Sequence, residues 1–75
     1  MILKLNYFGQ IAQMLHKEEE VLDLPVTTIR ELKSYYAEKL QTIPFSVAVN
    51  QQLAGETDQL NENDEVALLP PFAGG

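Results

Sequence analysis

Thr28-Ile29-Arg30-Glu31-Leu32-Lys33-Ser34-Tyr35-Tyr36-Ala37-Glu38-Lys39-Leu40-Gln41 decides the fold class of this 75-residue chain. Thr28 and Glu31 have the spacing of a capping box. The hydroxyl accepts from the amide three residues on, and the carboxylate returns to the cap amide. Ile29, Leu32, Tyr36 and Leu40 then recur at helical spacing, so they line one stripe of a helix from about Ile29 to Gln41. Arg30, Glu31, Lys33, Ser34, Glu38 and Lys39 fall mostly outside that stripe and face water. Pro44 stops the helix and pushes the residue before it toward an extended conformation.

On either side of this helix the pattern changes to period two. Met1, Leu3, Leu5 and Tyr7 share one face of a first strand, with Ile2, Lys4, Asn6 and Phe8 on the other. Gly9 ends that run, and Ile11, Ala12, Met14 and Leu15 fit a short helical segment over Gln10 to Leu15. Glu18 to Leu24 forms a second strand whose glutamates suit a sheet edge, and Pro25 breaks its ladder.

Beyond the helix, Phe45, Val47 and Val49 alternate with Ser46, Ala48 and Asn50 as a third strand. Asn50-Gln51-Gln52 turns into a short extended piece at Leu53. Gly55 and a polar run make a loop, Leu60 offers an apolar anchor, and Asn63 suits a left-handed turn position. Glu65-Val66-Ala67-Leu68-Leu69 is the last strand, apolar enough for a central place. One main helix over a mixed sheet gives a two-layer α+β domain over residues 1–69.

The last six residues, Pro70-Pro71-Phe72-Ala73-Gly74-Gly75, are of a different kind. Two prolines cannot donate to a sheet and favour a polyproline course, so residues 70–75 form an extruded tail. Six extended residues span roughly 20 Å. The closing glycines make the tip thin enough for a narrow channel. Glycine-rich frayed ends are common, but fraying needs no Pro-Pro brace. A terminal carboxylate with a pKa of roughly 3.5 is ionised and unreactive as an electrophile at neutral pH. Chemistry on it needs prior activation, as an acyl-adenylate made from ATP by another protein.

Composition removes many other functions. Eleven acidic and five basic residues leave a net charge of -6, with Glu18-Glu19-Glu20 as an acidic run. Such a surface repels nucleic acid and anionic lipid and would dock by charge on a basic protein. No stretch approaches the roughly 20 apolar residues of a membrane span, and the start is a poor secretory signal. A cytoplasmic protein is expected. The absence of cysteine excludes disulfides and thiolate chemistry. His16 has no second histidine, and Ser34 and Ser46 lack triad partners. Asp58, Glu62, Asp64 and Glu65 match no calcium loop, and the four glycines form no phosphate cradle. No metal or bound cofactor is expected.

Four stretches carry a family resemblance. They are Tyr7-Phe8-Gly9-Gln10, Val47-Ala48-Val49-Asn50, Asn63-Asp64-Glu65-Val66-Ala67 and the terminal Pro70-Pro71-Phe72-Ala73-Gly74-Gly75. In order and length the chain resembles the small subunits of molybdopterin synthase, ubiquitin-like sulfur carriers of the β-grasp fold. Asn63 departs from the glycine usual in that family's turn, but asparagine is the commonest substitute at a left-handed position.

The resemblance implies a mechanism and its partners. An activating enzyme adenylates Gly75 with ATP and magnesium, and a sulfur donor converts it to a thiocarboxylate. The carrier docks on the large synthase subunit, in a complex of two small and two large chains. There its sulfur is passed to a pterin precursor to build a dithiolene. Gly75 is then the modified residue, and Gly74 allows passage through the channel. Pro70 and Pro71 set the exit direction, and Ala73 and Phe72 enter the partner's groove with Phe72 as apolar anchor. Phe8, Leu60 and Leu68 are the expected docking residues on the body. Catalytic acids and bases would come from the partner. A thiazole-pathway carrier, a ubiquitin-type protein modifier and a non-covalent adaptor share enough of these features to remain alternatives.

Overall fold

The computed structural model describes residues 1–41 and 43–70. Five strands and two helices follow in the order β1 (Ile2–Tyr7), α1 (Gly9–Leu15), β2 (Glu19–Asp23), α2 (Ile29–Leu40), β3 (Ser46–Val49), β4 (Gln52–Leu53) and β5 (Glu65–Leu69). The strands form one sheet in the order β2-β1-β5-β3-β4. β1 and β5 are parallel; the other neighbours are antiparallel. This is the β-grasp form of the expected α+β domain.

The capping box is formed as read. Glu31 N–H donates to Thr28 Oγ1 at 3.2 Å, and Thr28 N–H donates to Glu31 Oε1 at 3.4 Å. Glu31 Oε1 also accepts from Thr27 N–H at 2.7 Å, and these donors hold its carboxyl below the ordinary carboxylate range. Ile29, Leu32, Tyr36 and Leu40 are all buried. They pack against Leu3, Leu5 and Tyr7 of β1, Val66 and Leu68 of β5 and Val47 of β3. Among the described residues no helix covers the opposite face of the sheet.

Two readings about strand position hold. β5 is central, between β1 and β3, and the glutamate-rich β2 is an edge. The turn after β3 uses Asn50 at φ 50° and Gln51 at φ 72°, the double left-handed pair that matches sheet twist in a tight hairpin. Asn63 has φ 69°, as expected for that turn, and its N–H donates to the Ile2 carbonyl at 2.7 Å.

The short helix begins one residue earlier than the pattern suggested. Gly9 is its first residue with φ 58°, and His16 closes it with φ 62° and an N–H to the Ala12 carbonyl. His16 is therefore an exposed helix terminator. No helix among the described residues is long and apolar enough to cross a membrane.

Candidate functional site: the tail root and the open sheet face

The end of β5 places the start of the tail. Because β1 and β5 run parallel in the register Tyr7↔Leu68, both strands finish at the same end of the sheet. Leu69-Pro70 therefore leaves level with Phe8-Gly9. Pro70 is half-buried against Gly9. The remaining tail residues proposed for insertion and chemistry, Pro71, Phe72, Ala73, Gly74 and Gly75, lie outside the described residues.

Phe8 sits in extended conformation, φ -129° and ψ 151°, so it continues the alternation of β1 onto the helix-free face. It is 48% exposed. Register carries the same face across the sheet. Leu53 of β4 pairs with Ala48 of β3, which pairs with Ala67 of β5. Leu69 lies two residues beyond Ala67 on that face and next to the exit. Leu53 is 76% exposed, more than any other large apolar side chain described. An open cleft of about 550 Å³ beside Phe8 is lined by Asn6, Gly9, Ala12, Gln13 and Glu19 among others.

Two of the expected docking residues are elsewhere. Leu68 is fully buried and Leu60 is 4% exposed, both in the hydrophobic core. Leu68 faces inward because the register sets it beside Tyr7 and Val47, two core residues. Leu60 is drawn in by its N–H, which donates to the Thr27 carbonyl at 2.8 Å. Leu53 and Leu69 do reach the open face beside Phe8, as do Ile2 and Val21 toward the β2 edge. The signal for Leu53 was the alternation of β3 carried through its two-residue turn.

A polar network fixes the end of β1 from the buried side. Tyr7 Oη donates to Glu20 Oε2 at 2.6 Å and lies 2.7 Å from Tyr36 Oη. The proton of Tyr7 is committed to a carboxylate, so Tyr36 is the donor in the second bond. Lys17 Nζ donates to the other oxygen of Glu20 at 2.9 Å. The rings of Tyr7 and Tyr36 meet edge to face at 5.9 Å. Burial, with the bond to Glu20, pushes the Tyr7 phenol far up. Burial pushes Tyr36 up to about 12. Partial burial opposes ionisation of Glu20, but the donors Tyr7 and Lys17 prevail and hold it below its ordinary value.

At the other end of β5, Asp64 is the one buried charged residue among those described. It accepts from Asn61 N–H at 2.8 Å and Asn50 Nδ2 at 3.1 Å, while Asn50 Oδ1 accepts from Glu65 N–H at 3.1 Å. The Asn-Asp-Glu stretch and the distant Asn50 thus set where β5 begins. Among the described residues no group of three His, Asp or Glu side chains could hold a metal ion.

Comparison with known proteins agrees with this architecture. Residues 5–75 match the ThiS family. The molybdopterin synthase sulfur carrier subunit of Dictyostelium discoideum is 33% identical, over 96% of this chain and 94% of that protein. The putative molybdopterin converting factor subunit 1 of Pyrococcus furiosus superposes with a TM-score of 0.84 at 23% identity, covering 96% and 99% of the two chains, and so shares the fold. A chain from the complex of subunits 1 and 2 of the Helicobacter pylori molybdopterin-converting factor is 25% identical over the full length of both, with a TM-score of 0.69. This chain belongs to the ThiS family of β-grasp sulfur carriers, in the company of the molybdopterin synthase sulfur carrier subunits.

Proposed function

We propose that this chain carries sulfur on the carboxyl group of Gly75 and delivers it during dithiolene formation in molybdopterin biosynthesis. The observation that carries the reading is the placement of the tail root: a central strand ends at Pro70, level with an exposed Phe8. A partner covering Phe8, Leu69 and Leu53 would receive whatever follows Pro70 directly beside its own binding surface. The complex of two subunits known for the Helicobacter pylori protein supports a large-subunit partner.

In this reading the chemistry proceeds in four steps. An activating enzyme joins the Gly75 carboxylate to the α-phosphate of ATP, using magnesium, and pyrophosphate leaves. A sulfide equivalent from a sulfur donor then attacks the acyl carbon and displaces AMP, so one carbon–sulfur bond replaces one carbon–oxygen bond. Within the large subunit the terminal sulfur attacks an electrophilic carbon of the pterin precursor and displaces an oxygen leaving group, so a carbon–sulfur bond forms as a carbon–oxygen bond breaks. Water then cleaves the acyl–sulfur bond, leaving sulfur on the pterin and a free carboxylate on Gly75. The contributions of this chain are the carboxyl group that carries the nucleophilic sulfur, a glycine tip of minimal width, and an apolar face that sets the approach.

Intact-mass measurement after incubation with ATP, an activating enzyme and a sulfur source tests the proposal. The expected product has one carboxyl oxygen replaced by sulfur, and it loses that sulfur on addition of large subunit and precursor. A mass that never changes would defeat the carrier reading. Higher-mass conjugates through lysine would favour a protein modifier.

A further inference from the structure

We propose that the contact between Gly9 and Pro70 is a positioning device that fixes the tail root relative to the docking face; it rests on the sulfur-carrier reading. A Cβ placed on Gly9 would stand 3.1 Å from Pro70 Cγ and 3.8 Å from Pro70 Cβ and Cδ. The missing side chain is the seat of the proline ring. Gly9 also has φ 58°, a left-handed conformation that strains an L side chain.

The placement has a mechanical meaning. Pro70 is the first residue beyond β5, and its own φ is locked by the ring. Seating that ring on Gly9 removes freedom at the residue from which the tail departs. Phe8, the exposed residue of the docking face, precedes Gly9 directly, and Tyr7 before it is tied to Glu20 and Tyr36. One short segment therefore joins the core, the docking face and the tail root.

Errors at this root grow along the tail. Five extended residues reach about 17 Å, so a rotation of about 5° at Pro70 moves the tip by about 1.5 Å. Displacements near 1 Å at a reacting group can cost on the order of 100-fold in rate. Gly9 and Pro70 act on the reaction through Gly75 and are positioning residues.

The test is single-turnover sulfur transfer by the thiocarboxylated full chain bound to the large subunit, with the dissociation constant measured in parallel. Gly9→Ala is expected to keep the dissociation constant within about twofold and to slow transfer about tenfold. Pro70→Ala, which removes the ring at a position outside the sheet, is expected to slow transfer to a similar degree. In the Pro70→Ala background, Gly9→Ala should cost no further rate, because the two changes abolish one contact. Wild-type transfer by Gly9→Ala, or losses that multiply in the double variant, would overturn the inference. If Gly9→Ala fails to fold, wild-type transfer by Pro70→Ala alone would overturn it. A wild-type chain that transfers nothing defeats the carrier reading itself, an outcome distinct from any result on the variants.

Discussion

Tyr7 and Tyr36, 29 positions apart, place their hydroxyl oxygens 2.7 Å from each other, with Glu20 accepting the proton of Tyr7. The pair ties the end of β1 to α2 and β2 at the base of the segment that presents Phe8. Its direction of donation makes the two tyrosines unequal. Tyr7→Phe strands the Tyr36 hydroxyl and removes a donor from Glu20, and is expected to cost about 1.5–3 kcal/mol. Tyr36→Phe leaves the Tyr7–Glu20 bond and is expected to cost about 1 kcal/mol. Urea denaturation of the two variants checks the order.

The same network predicts both limbs of the pH profile. Glu20 has its folded pKa lowered from 4.5, so its contribution is present above that value and fades as pH falls through the lower folded pKa. Tyr36 is raised from 10.0 to about 12, so its contribution is whole below pH 10.0 and fades between 10.0 and about 12. Melting temperatures followed from pH 2 to 12 should show both losses, and Glu20→Gln should flatten the acid one.

The open face and the core should separate cleanly. Leu68→Ala and Leu60→Ala remove buried side chains and are expected to cost about 2–5 kcal/mol of stability. Leu53→Ser, at a 76% exposed position, is expected to change stability by less than about 0.5 kcal/mol while weakening large-subunit binding about tenfold. Thermal melts paired with titrations decide; a Leu53 variant that binds normally would remove that residue from the dock.

Deleting Gly74 and Gly75 is expected to abolish sulfur transfer and to leave the melting temperature within about 1 °C, since the last strand of the sheet ends at Leu69. Phe72→Ala should weaken complex formation more than it weakens the isolated domain. Reconstitution with activator, sulfur donor, large subunit and precursor measures the first effect, and binding titration the second.

Much of the fold was legible because local rules agreed. Thr28 and Glu31 announced α2, its four-residue stripe announced the core, and the apolar run at Glu65–Leu69 announced a central strand. The docking face was less legible. Val66, Ala67, Leu68 and Leu69 are all apolar, so alternation could not say which pair faces inward. Only the register with Tyr7 and Val47 assigns Leu68 to the core and Leu69 to the open face. The Tyr7–Tyr36–Glu20 network and the Gly9–Pro70 seat join residues from distant parts of the chain, where no spacing rule reaches. The phenols and the glycine looked like ordinary strand and turn residues until the sheet brought their partners to them.

The parallel pairing of β1 with β5 also constrains how the molecule is made. β1 is the first of the five strands in chain order, yet the neighbour that joins it to β3 is the last. Until residues 65–69 emerge, the nascent chain has two separated strand pairs and no shared core beneath α2. Folding of this domain therefore waits for β5, and a chain broken off before residue 65 should be degraded as an unfolded fragment.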